Sequence, residues 1–374
     1  MHLAKKAPAK PLLSYRPAYN GVIKGVIKGV IKGVIKPKGA QGERSSIFKA
    51  VMTLSQISKP IEQYIEPFED VLREQMKSNV LLLDTVVRYI VRQRSKRVRP
   101  MLVLLAAAAS GEVSRRSYIG ASMVEILHTA SLVHDDVVDE ATERRGMASV
   151  NAIWKNKISV LVGDYLLSRG LLIAVNNEEF DFLRITSNSV KRMSEGELLQ
   201  IQKSRQLDID EATYFRIIGD KTASLISSCC EIGATSASNN PEHRAALREY
   251  GEIVGCAFQI RDDIFDYTAQ STFIGKPVGN DLKEKKLTLP LIYAFSQAPK
   301  KESKEILKRI KGDAKKNDIR EIVQFVQSYG GIEYAERKAQ DLITQAKAAL
   351  RVLEDSPAKT SLLNFADFSL QRSA

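Results

Sequence analysis

The stretch LVHDDVVDEATERRG, from Leu132 to Gly146, decides how the chain is interpreted, because it places acidic residues directly after an apolar run. On an α-helix, Asp135 and Asp139 are four residues apart, so their carboxylates lie about 6 Å apart along the axis and share one face. Asp136 points about a quarter-turn away from that face. The stretch therefore predicts a helix that ends in a carboxylate pair.

The same D-D-x-x-D spacing returns in FQIRDDIFDY, from Phe258 to Tyr267. Here Asp262 and Asp266 share a helical face, and Asp263 is offset. Carboxylates at this spacing repel each other and weaken a helix slightly. One such motif is often only a solvated acidic helix end, but a second copy at the end of another apolar helix favours a bound cation. Oxygen ligands without histidine or cysteine indicate Mg²⁺ rather than zinc.

From Met52 onward, apolar residues recur at helical spacing, as in IEQYIEPFEDVLREQM and YIGASMVEILHTASLVHDD. Several segments are apolar nearly all round, as the central helices of a large bundle are, and no run of short alternating strands is present. We therefore predict an all-α fold, a bundle of about ten or more helices around a deep apolar cavity with the two motifs at its mouth. The irregular stretch from Thr268 to Lys286 is expected to be functional, because it directly follows the second motif.

Residues 1–51 differ from the rest of the 374-residue chain. They hold eleven Lys and Arg and one acid, and they contain the repeat GVIKGVIKGVIKGVIK from Gly21 to Lys36. Glycine every fourth residue weakens a helix, so we expect a disordered basic extension, followed by one catalytic domain from 52 to 374. A start of translation at Met52 is the alternative. The folded part has 45 basic and 43 acidic residues, so the net charge of +12 does not indicate nucleic-acid binding there.

Basic and polar residues stand near the two motifs, where a diphosphate would need them. They are Lys96, Arg97 and Arg99 before an apolar helix, Arg144 and Arg145 after the first motif, Lys221 and Thr222 in a mostly apolar segment, and Lys276, Lys285 and Lys286 in the irregular stretch. Each one alone is more often a solvated surface charge. Lys221 is the exception, because a lysine on a mostly apolar helix needs a partner. His128 is either a phosphate donor or a satisfied core histidine.

Together these motifs resemble those of the trans-isoprenyl diphosphate synthase (polyprenyl synthetase) family. The resemblance runs from about Leu54 to the C-terminus and rests on KRVRP, HTASLVHDDVVDEATERRG, GDYLLSRG, MSEGELLQ, DKTASLI, FQIRDDIFDY and GKPVGNDLKEKKLTLP. It is nearest to bacterial synthases of long quinone side chains. It implies an isoprenoid-synthase-type helical bundle, usually a homodimer, that uses two or three Mg²⁺ ions. The implied substrates are isopentenyl diphosphate and an allylic diphosphate, farnesyl or geranylgeranyl diphosphate.

The resemblance also implies a role for each matching residue. The expected Mg²⁺ ligands are Asp135, Asp139 and Asp262, with Asp136 and Asp266 beside them. The expected catalytic residues are Asp135, Asp139, Asp262 and Lys221. Residues that match the allylic site are Arg144, Lys221, Thr222, Gln259, Lys276 and Lys286, and residues that match the isopentenyl diphosphate site are Lys96, Arg99, His128 and Arg145. One departure is Ser95, where the family has glycine before the first lysine of G-K-R-x-R-P.

The length of the product is expected to depend on the helix that carries the first motif. A growing chain would run down the cavity past Ala130 and Ser131 and then Leu127. Family members with short products have bulky aromatic residues at the first two of these positions, whereas Ala130 and Ser131 are small. The resemblance therefore implies a long all-trans product, past the farnesyl and geranylgeranyl stages. A cavity floor closed by another helix, which would give geranylgeranyl diphosphate, is the alternative.

Other classes of protein fit the sequence less well. A terpene cyclase would carry a different second metal motif, and non-catalytic subunits of heteromeric synthases tend to lose the aspartates. Nucleic-acid or anionic-membrane binding would depend on residues 1–51 alone, although weak membrane association through the product or this tail is left open. The longest uninterrupted apolar run, Met101 to Ala109, is too short to cross a bilayer. Cys229, Cys230 and Cys256 have no metal-ligand spacing and indicate a reduced, cytoplasmic protein.

Overall fold

The computed structural model describes residues 52–93, 96–268, 279–312 and 316–371. In these ranges the chain is helical apart from its loops and one small hairpin. The predicted basic extension, Ser95 and Lys276 lie outside the described residues.

The elements follow one another in a simple order. The helices are α1 (Leu54–Ser58), α2 (Glu62–Gln75), α3 (Leu81–Arg92), α4 (Val98–Ser110), α5 (Arg115–Val138), α6 (Val150–Asn176), α7 (Phe180–Gln206), α8 (Glu211–Ile218), α9 (Ser224–Ala237), α10 (Pro241–Thr268), α11 (Asn280–Lys283), α12 (Leu289–Gln297), α13 (Lys300–Lys311), α14 (Lys316–Ser328), α15 (Gly331–Ala349) and α16 (Pro357–Gln371). Two 3₁₀ segments, Lys59–Ile61 and Leu350–Val352, and one π-helical segment, Gly219–Ala223, lie between them. The strands are β1 (Glu143–Arg144) and β2 (Met147–Ala148).

The all-α prediction is confirmed, and the only sheet in the described ranges is the β1–β2 hairpin after the first motif. The strands are antiparallel, with Arg144 opposite Met147. Arg145 and Gly146 form the two-residue turn, and both have positive φ, 54° and 74°. A turn of this kind matches the twist of a hairpin and favours glycine at its second position. The hairpin brings Arg144 back toward the end of α5.

The two helices that end in aspartate motifs, α5 and α10, belong to a tightly packed centre. Helix α9 is buried almost all round and packs against α4, α5, α7 and α10. Cys229 and Cys230 are both fully buried in α9, and they are free thiols. Because α9 has no solvent-exposed face, its sequence lacks the amphipathic pattern of a surface helix.

Close contact between α4 and α9 depends on Gly233. A Cβ atom at this position would lie 2.3 Å from the backbone oxygen of Val103 and 2.7 Å from the Cβ of Ala106. These distances are shorter than real Cβ contacts, so the two backbones can approach only because residue 233 has no side chain. This packing keeps α9, and with it the π-helical segment before it, in place.

A second apolar cluster surrounds the far end of α10. Ile260, Ile264 and Tyr267 of α10 pack with residues of α8, α12, α13, α14 and α15. Tyr293 of α12 and Tyr334 of α15 stack with their ring centres 3.9 Å apart. The cluster anchors the chain that precedes and follows the second aspartate motif, so the motif sits on a rigid support.

Helix α6 presents an apolar face to solvent. Leu161 is 56% exposed, and Leu172 and Val175 are each 45% exposed, all on one side of the helix. By length and composition α6 could cross a membrane, and less than half of its most apolar stretch is buried. The same criteria are met by core helices of soluble proteins, and the opposite side of α6 packs closely on α5. The exposed side is therefore a surface that another apolar partner would stabilise.

Replacing Gly233 with alanine should destabilise the protein, although alanine is the better helix former. The added methyl group would overlap the α4 backbone, and we expect a loss of about 1–3 kcal/mol in the free energy of unfolding. Urea or thermal unfolding measures this loss. Gly312→Ala is the matched control, because a Cβ there would come no closer than 3.7 Å to another group. Equal effects of the two substitutions would contradict the importance of the α4–α9 contact.

Candidate active site

The first motif closes α5, and its three aspartates have different surroundings. Asp135 and Asp139 are exposed at the helix end, and the backbone N–H of Asp139 donates to the Asp135 carbonyl oxygen at 2.8 Å. Asp136 is only 2% exposed, and its Oδ1 accepts a hydrogen bond from Arg144 Nε at 2.6 Å. The predicted pair therefore faces outward, whereas Asp136, also predicted as a metal ligand, ties the hairpin to the helix.

Negative charge accumulates around Asp135. Partial burial raises the pKa of Asp135, and the neighbouring carboxylates of Asp139 and Glu197 raise it further. Lys221 and Arg144 act in the opposite direction and lower this pKa. The α5 end is thus a place where carboxylates repel one another and where a bound cation would be favourable.

Lys221 is placed by the π-helical segment between α8 and α9. Its Nζ lies 2.5 Å from Oε2 of Glu197 and donates to Oε1 of Gln200 at 2.8 Å. Both partners come from α7, which approaches closely at Gly196, where a Cβ would lie 2.9 Å from the Cβ of Asp220. Lys221 therefore has the ion-pair partner that the sequence predicted. It lies in a π-helical segment, and such segments are frequent at functional sites.

The second motif closes α10, and its middle aspartate is again turned inward. Asp263 is 4% exposed, accepts from the Tyr214 hydroxyl at 2.6 Å and accepts from Gln259 Nε2 at 2.9 Å. Burial raises the pKa of Asp263 to about 7, against the lowering effect of these two donors. Thr222 Oγ1 in turn donates to Gln259 Oε1 at 2.9 Å. Two predicted substrate residues are thereby joined to the second motif.

The outer aspartates of this motif are only partly buried on α10. Asp262 and Asp266 both keep partial solvent exposure. Asp266 accepts hydrogen bonds from the backbone N–H groups of Gly279 and Asp281, each at 3.1 Å. These bonds dock the start of α11 on the motif. Burial and the Asp266 carboxylate raise the pKa of Asp281 to about 6, so a fourth carboxylate joins this side of the site.

Lys221 connects the two motifs electrostatically. Its positive charge lowers the pKa of Asp135 on one side and the pKa of Asp281 on the other. Lys286 lies near the same group: burial opposes its charge, but an ion pair with Glu284 and the charges of Asp281 and Glu197 raise its pKa. Lys221 also lines the same small cavity as Gln259, Asp281 and Lys286. Lys221 is therefore close enough to both motifs, far apart in sequence, for its charge to act on a carboxylate beside each.

Of the residues predicted to bind isopentenyl diphosphate, Arg99 lies on α4, His128 on α5, Lys96 just before α4 and Arg145 in the hairpin turn. Burial lowers the pKa of Arg99, and it lowers the pKa of His128 well below its ordinary value, an effect strengthened by Arg99 and Arg145. Arg99 Nε and His128 Nδ1 are buried nitrogens without a hydrogen-bond partner among the described residues. Lys96 and Arg145 are both exposed, and the Arg145 charge acts on His128. Buried unpaired donors beside cations suit an anionic group.

The proposed chain-length residues lie on α5 below the first motif. Ala130 is 2% exposed, and Ser131 Oγ donates to the backbone oxygen of His128 at 2.9 Å. Leu127 packs into α6, where its Cδ2 lies 2.6 Å from the place that a Cβ on Gly170 would take. Leu127 is thus part of the α5–α6 contact, and its predicted position along the growing chain stays a prediction.

The cavities beside the two motifs are small. One of about 50 Å³ lies beside Asp136, Arg144 and Arg145, and one of about 90 Å³ is lined by Lys221, Thr222 and other residues of the second-motif side. Neither has the volume of a polyprenyl chain, so the predicted deep apolar cavity stays a prediction. A wider polar groove of about 540 Å³ between α7, α9 and α10 contains none of the predicted site residues.

Sequence reasoning missed several residues of this site. Glu197 and Gln200 belong to the quoted motif MSEGELLQ, and Asp281 belongs to GKPVGNDLKEKKLTLP, but no role was predicted for them. The sequence alone does not show that Glu197 lies beside Lys221, because the two residues are far apart along the chain. Tyr214 gave no signal at all, because a tyrosine on an apolar helix is usually a core residue.

The donor set fits Mg²⁺. In the described ranges no three His, Cys, Asp or Glu side chains form a ready-made metal site. Magnesium, however, is usually held by one or two carboxylates together with substrate phosphates. The carboxylates of Asp135, Asp139 and Asp262 are hard oxygen ligands of this kind. The pKa of Asp135 is raised by burial and then by the Asp139 and Glu197 charges, whose repulsion a divalent cation would relieve.

Comparisons with known proteins point in one direction. A family model described as polyprenyl synthetase matches residues 80–326. The octaprenyl diphosphate synthase of Escherichia coli K12 is 35% identical over 86% of this chain and 99% of its own length. The all-trans-nonaprenyl-diphosphate synthase (geranyl-diphosphate specific) of Rhodobacter capsulatus is 37% identical, covering 84% of this chain and 97% of its own. A polyprenyl synthase structure from Caulobacter crescentus CB15, complexed with calcium and isoprenyl diphosphate, superposes with a TM-score of 0.79 at 32% identity and covers 87% of this chain and 99% of its own.

Replacing Asp281 with asparagine should stabilise the metal-free protein above pH 6. The folded-state pKa of about 6 exceeds the ordinary value of 3.8, so ionisation of Asp281 costs stability as the pH rises through this interval. Asparagine removes that cost, and we expect a Tm higher by about 2–6 °C at pH 8. Near pH 4 the difference should disappear, because Asp281 is protonated in the folded state. Thermal unfolding with EDTA measures both values.

The control for this substitution is Asp355→Asn, since the Asp355 side chain is fully exposed and its ion pair with Lys359 is of the i,i+4 surface kind that contributes little to stability. It should leave the Tm unchanged at both pH values. An Asp281→Asn protein that is less stable than wild type at pH 8 would show that the carboxylate is held by favourable contacts rather than by enforced burial.

Proposed function

Since the chain belongs to the polyprenyl synthetase family, we propose that it is a trans-polyprenyl diphosphate synthase that adds isopentenyl diphosphate units to an allylic diphosphate. It is a prenyltransferase, as the family implies. The observation that carries the proposal is the position of Lys221, whose charge acts on both Asp135 and Asp281 and which lines a cavity with Thr222 and Gln259. A terpene cyclase has less support, because the second motif has the same D-D-x-x-D pattern as the first.

The allylic diphosphate is proposed to lie between the two motifs. Asp135, Asp139 and Asp262 would hold Mg²⁺, two or three ions in all, with Asp266 orienting α11 and Asp136 orienting Arg144. Bound Mg²⁺ neutralises the diphosphate charge and favours cleavage of the allylic C–O bond. Lys221 and Arg144 add donors aimed at the departing pyrophosphate, where negative charge grows as the bond breaks.

Isopentenyl diphosphate is proposed to bind on the α4–α5 side. Arg99 and His128 offer the buried unpaired nitrogens, and Lys96 and Arg145 add positive charge. A lowered pKa keeps His128 neutral, so one ring nitrogen donates without adding a charge. The double bond of this substrate attacks the allylic cation, and the released pyrophosphate takes up the proton that is lost, which leaves a chain that is one isoprene unit longer. The apolar walls exclude water that would otherwise trap the cation.

The product is proposed to be long. Small residues at Ala130 and Ser131 leave the first turns below Asp135 without an aromatic barrier. Two similar proteins are named as synthases of octaprenyl and nonaprenyl diphosphate, which agrees with a long chain. Farnesyl or geranylgeranyl diphosphate is the proposed primer, and a quinone side chain is the proposed use. A product that stops at geranylgeranyl diphosphate remains the alternative.

The enzyme is proposed to act as a homodimer in the cytoplasm. The exposed apolar face of α6, with Leu161, Leu172 and Val175, supports self-association, because two copies would cover each other's face. Residues 1–51 are proposed to be a separate basic extension that catalysis does not require, and 52–374 to be the catalytic domain.

Product analysis tests the function directly. A protein that starts at Met52 is incubated with Mg²⁺, farnesyl diphosphate and radiolabelled isopentenyl diphosphate, and the dephosphorylated products are separated by length. We expect one long all-trans product. Ala130→Phe and Ser131→Phe should each shorten it, because an aromatic ring would block the path. A wild-type product no longer than geranylgeranyl diphosphate would overturn the long-chain proposal while keeping the chemistry.

The catalytic assignment has its own control in the same assay. Asp135→Asn should reduce incorporation by about a hundredfold or more, because it removes a charged metal ligand. Asp355→Asn, a substitution of the same type at a fully exposed site, should leave incorporation unchanged. If wild type and Asp135→Asn both incorporate nothing, the chain is a subunit that needs a partner.

Charging the α6 face should break the dimer. The double substitution Leu161→Glu and Leu172→Glu places like charges opposite each other in a two-fold interface, where their desolvation is costly. Light scattering after size-exclusion chromatography should give the monomer mass for this variant and the dimer mass for wild type. Val352→Glu is the control, because Val352 is 51% exposed on a different part of the surface. A monomeric wild type would refute the homodimer.

A further inference from the structure

A buried chain of hydrogen bonds runs beneath the second motif, from α8 to the π-helical segment. It begins at the Tyr214 hydroxyl, which donates to Oδ2 of Asp263 at 2.6 Å. The other oxygen of Asp263 accepts from Gln259 Nε2 at 2.9 Å, and Gln259 Oε1 accepts from Thr222 Oγ1 at 2.9 Å. Tyr214 and Asp263 are each only 4% exposed, so the first bond of the chain is shielded from water.

In each hydrogen bond of this series, the preceding bond determines which group donates and which accepts. Burial and the nearby Asp263 charge raise the pKa of Tyr214 well above its ordinary value, so its hydroxyl keeps the proton that it donates. Both oxygens of Asp263 accept in this arrangement, so the amide nitrogen of Gln259 faces Asp263. The amide oxygen then faces Thr222. Donation from Tyr214 thus helps to hold the amide of Gln259 in one orientation.

Tyr214 is almost fully buried, and it contributes to the wall of the small cavity beside Lys221 and Thr222. It lies on α8, in the apolar cluster that includes Ile260 and Ile264, and its ring packs edge-on against Phe215 at 5.6 Å. Its hydroxyl is the only polar atom that it contributes to the chain. Removing the hydroxyl would leave one buried oxygen of Asp263 without a hydrogen-bond donor. An unsatisfied buried oxygen is costly, so the Asp263 side chain would rotate toward another donor. Gln259 and Thr222 would then lose their fixed positions.

We propose that Tyr214 is a positioning residue for the allylic diphosphate, which acts through Asp263 to hold Gln259 and Thr222 in the orientation that the substrate requires. This inference rests on the proposed function, because it assigns Gln259 and Thr222 to the allylic side of the cleft. Arg99 and His128, which are proposed to bind isopentenyl diphosphate, lie on α4 and α5. They form no hydrogen bond with any residue of the series that begins at Tyr214. The effect should therefore fall on one substrate only.

The test is Tyr214→Phe, measured as KM for each substrate and as Kd for farnesyl diphosphate with Mg²⁺ by titration calorimetry. We expect both the KM and the Kd for the allylic substrate to rise roughly tenfold, as for loss of a hydrogen bond to a charged group. The KM for isopentenyl diphosphate should stay within about twofold of wild type, because its proposed site keeps all its contacts.

Tyr250→Phe is the matched control. Tyr250 is also a fully buried tyrosine, and its hydroxyl donates to the backbone oxygen of Leu362 at 2.5 Å, so the same atom is removed from the same kind of environment. Both variants should lose thermal stability, but only Tyr214→Phe should change the allylic constants. If both substitutions weaken both substrates equally, Tyr214 is merely structural and the inference is wrong.

A double-mutant cycle tests the route of the effect. In a Thr222→Val background the far end of the chain is already lost, so Tyr214→Phe should raise the allylic Kd much less than it does in wild type. Full additivity would overturn the proposed route. If the wild-type protein binds farnesyl diphosphate but makes only short products, the long-chain proposal fails, and the binding constants still decide the role of Tyr214. If it binds no allylic diphosphate, the proposed function fails and this inference with it.

Discussion

Repulsion between carboxylates at the open end of the bundle is the constraint on which the rest of the site depends. Helices α5 and α10 each end in acidic residues, and burial together with neighbouring acids raises the pKa of Asp135 and Asp281. The positive charge of Lys221 lowers the pKa of both. A divalent cation held by the outer carboxylates would relieve the remaining repulsion.

The two aspartate motifs show the same division of roles between their middle and outer residues. In each, the middle residue turns inward and serves the protein: Asp136 holds Arg144 of the hairpin, and Asp263 accepts from Tyr214 and Gln259. The outer residues stay at the surface of the cleft, with Asp266 also docking α11. Helical geometry explains this division, since the second aspartate of D-D-x-x-D points about a quarter-turn away from the pair.

Rigid packing below the site makes that division possible. Helix α9 is buried on all sides, and its contact with α4 leaves no room for a side chain at Gly233. The π-helical segment that precedes α9 then aims Lys221 at Glu197 and Gln200 of α7. Lys221 and the aspartates of the two motifs therefore lie on separate, closely packed helical segments.

The sequence by itself determined the all-α fold, the two carboxylate pairs and the family, because helical spacing and motif spacing are local properties of the chain. It also singled out Lys221 as a lysine that needs a partner. Tertiary structure alone decided which partner that is, since Glu197 and Gln200 reach it only through the packing of α7. In the same way it placed Leu127 against Gly170 and Tyr214 under Asp263. Such contacts join residues that are far apart in the chain, and burial, which gives them their strength, exists only once the helices have packed.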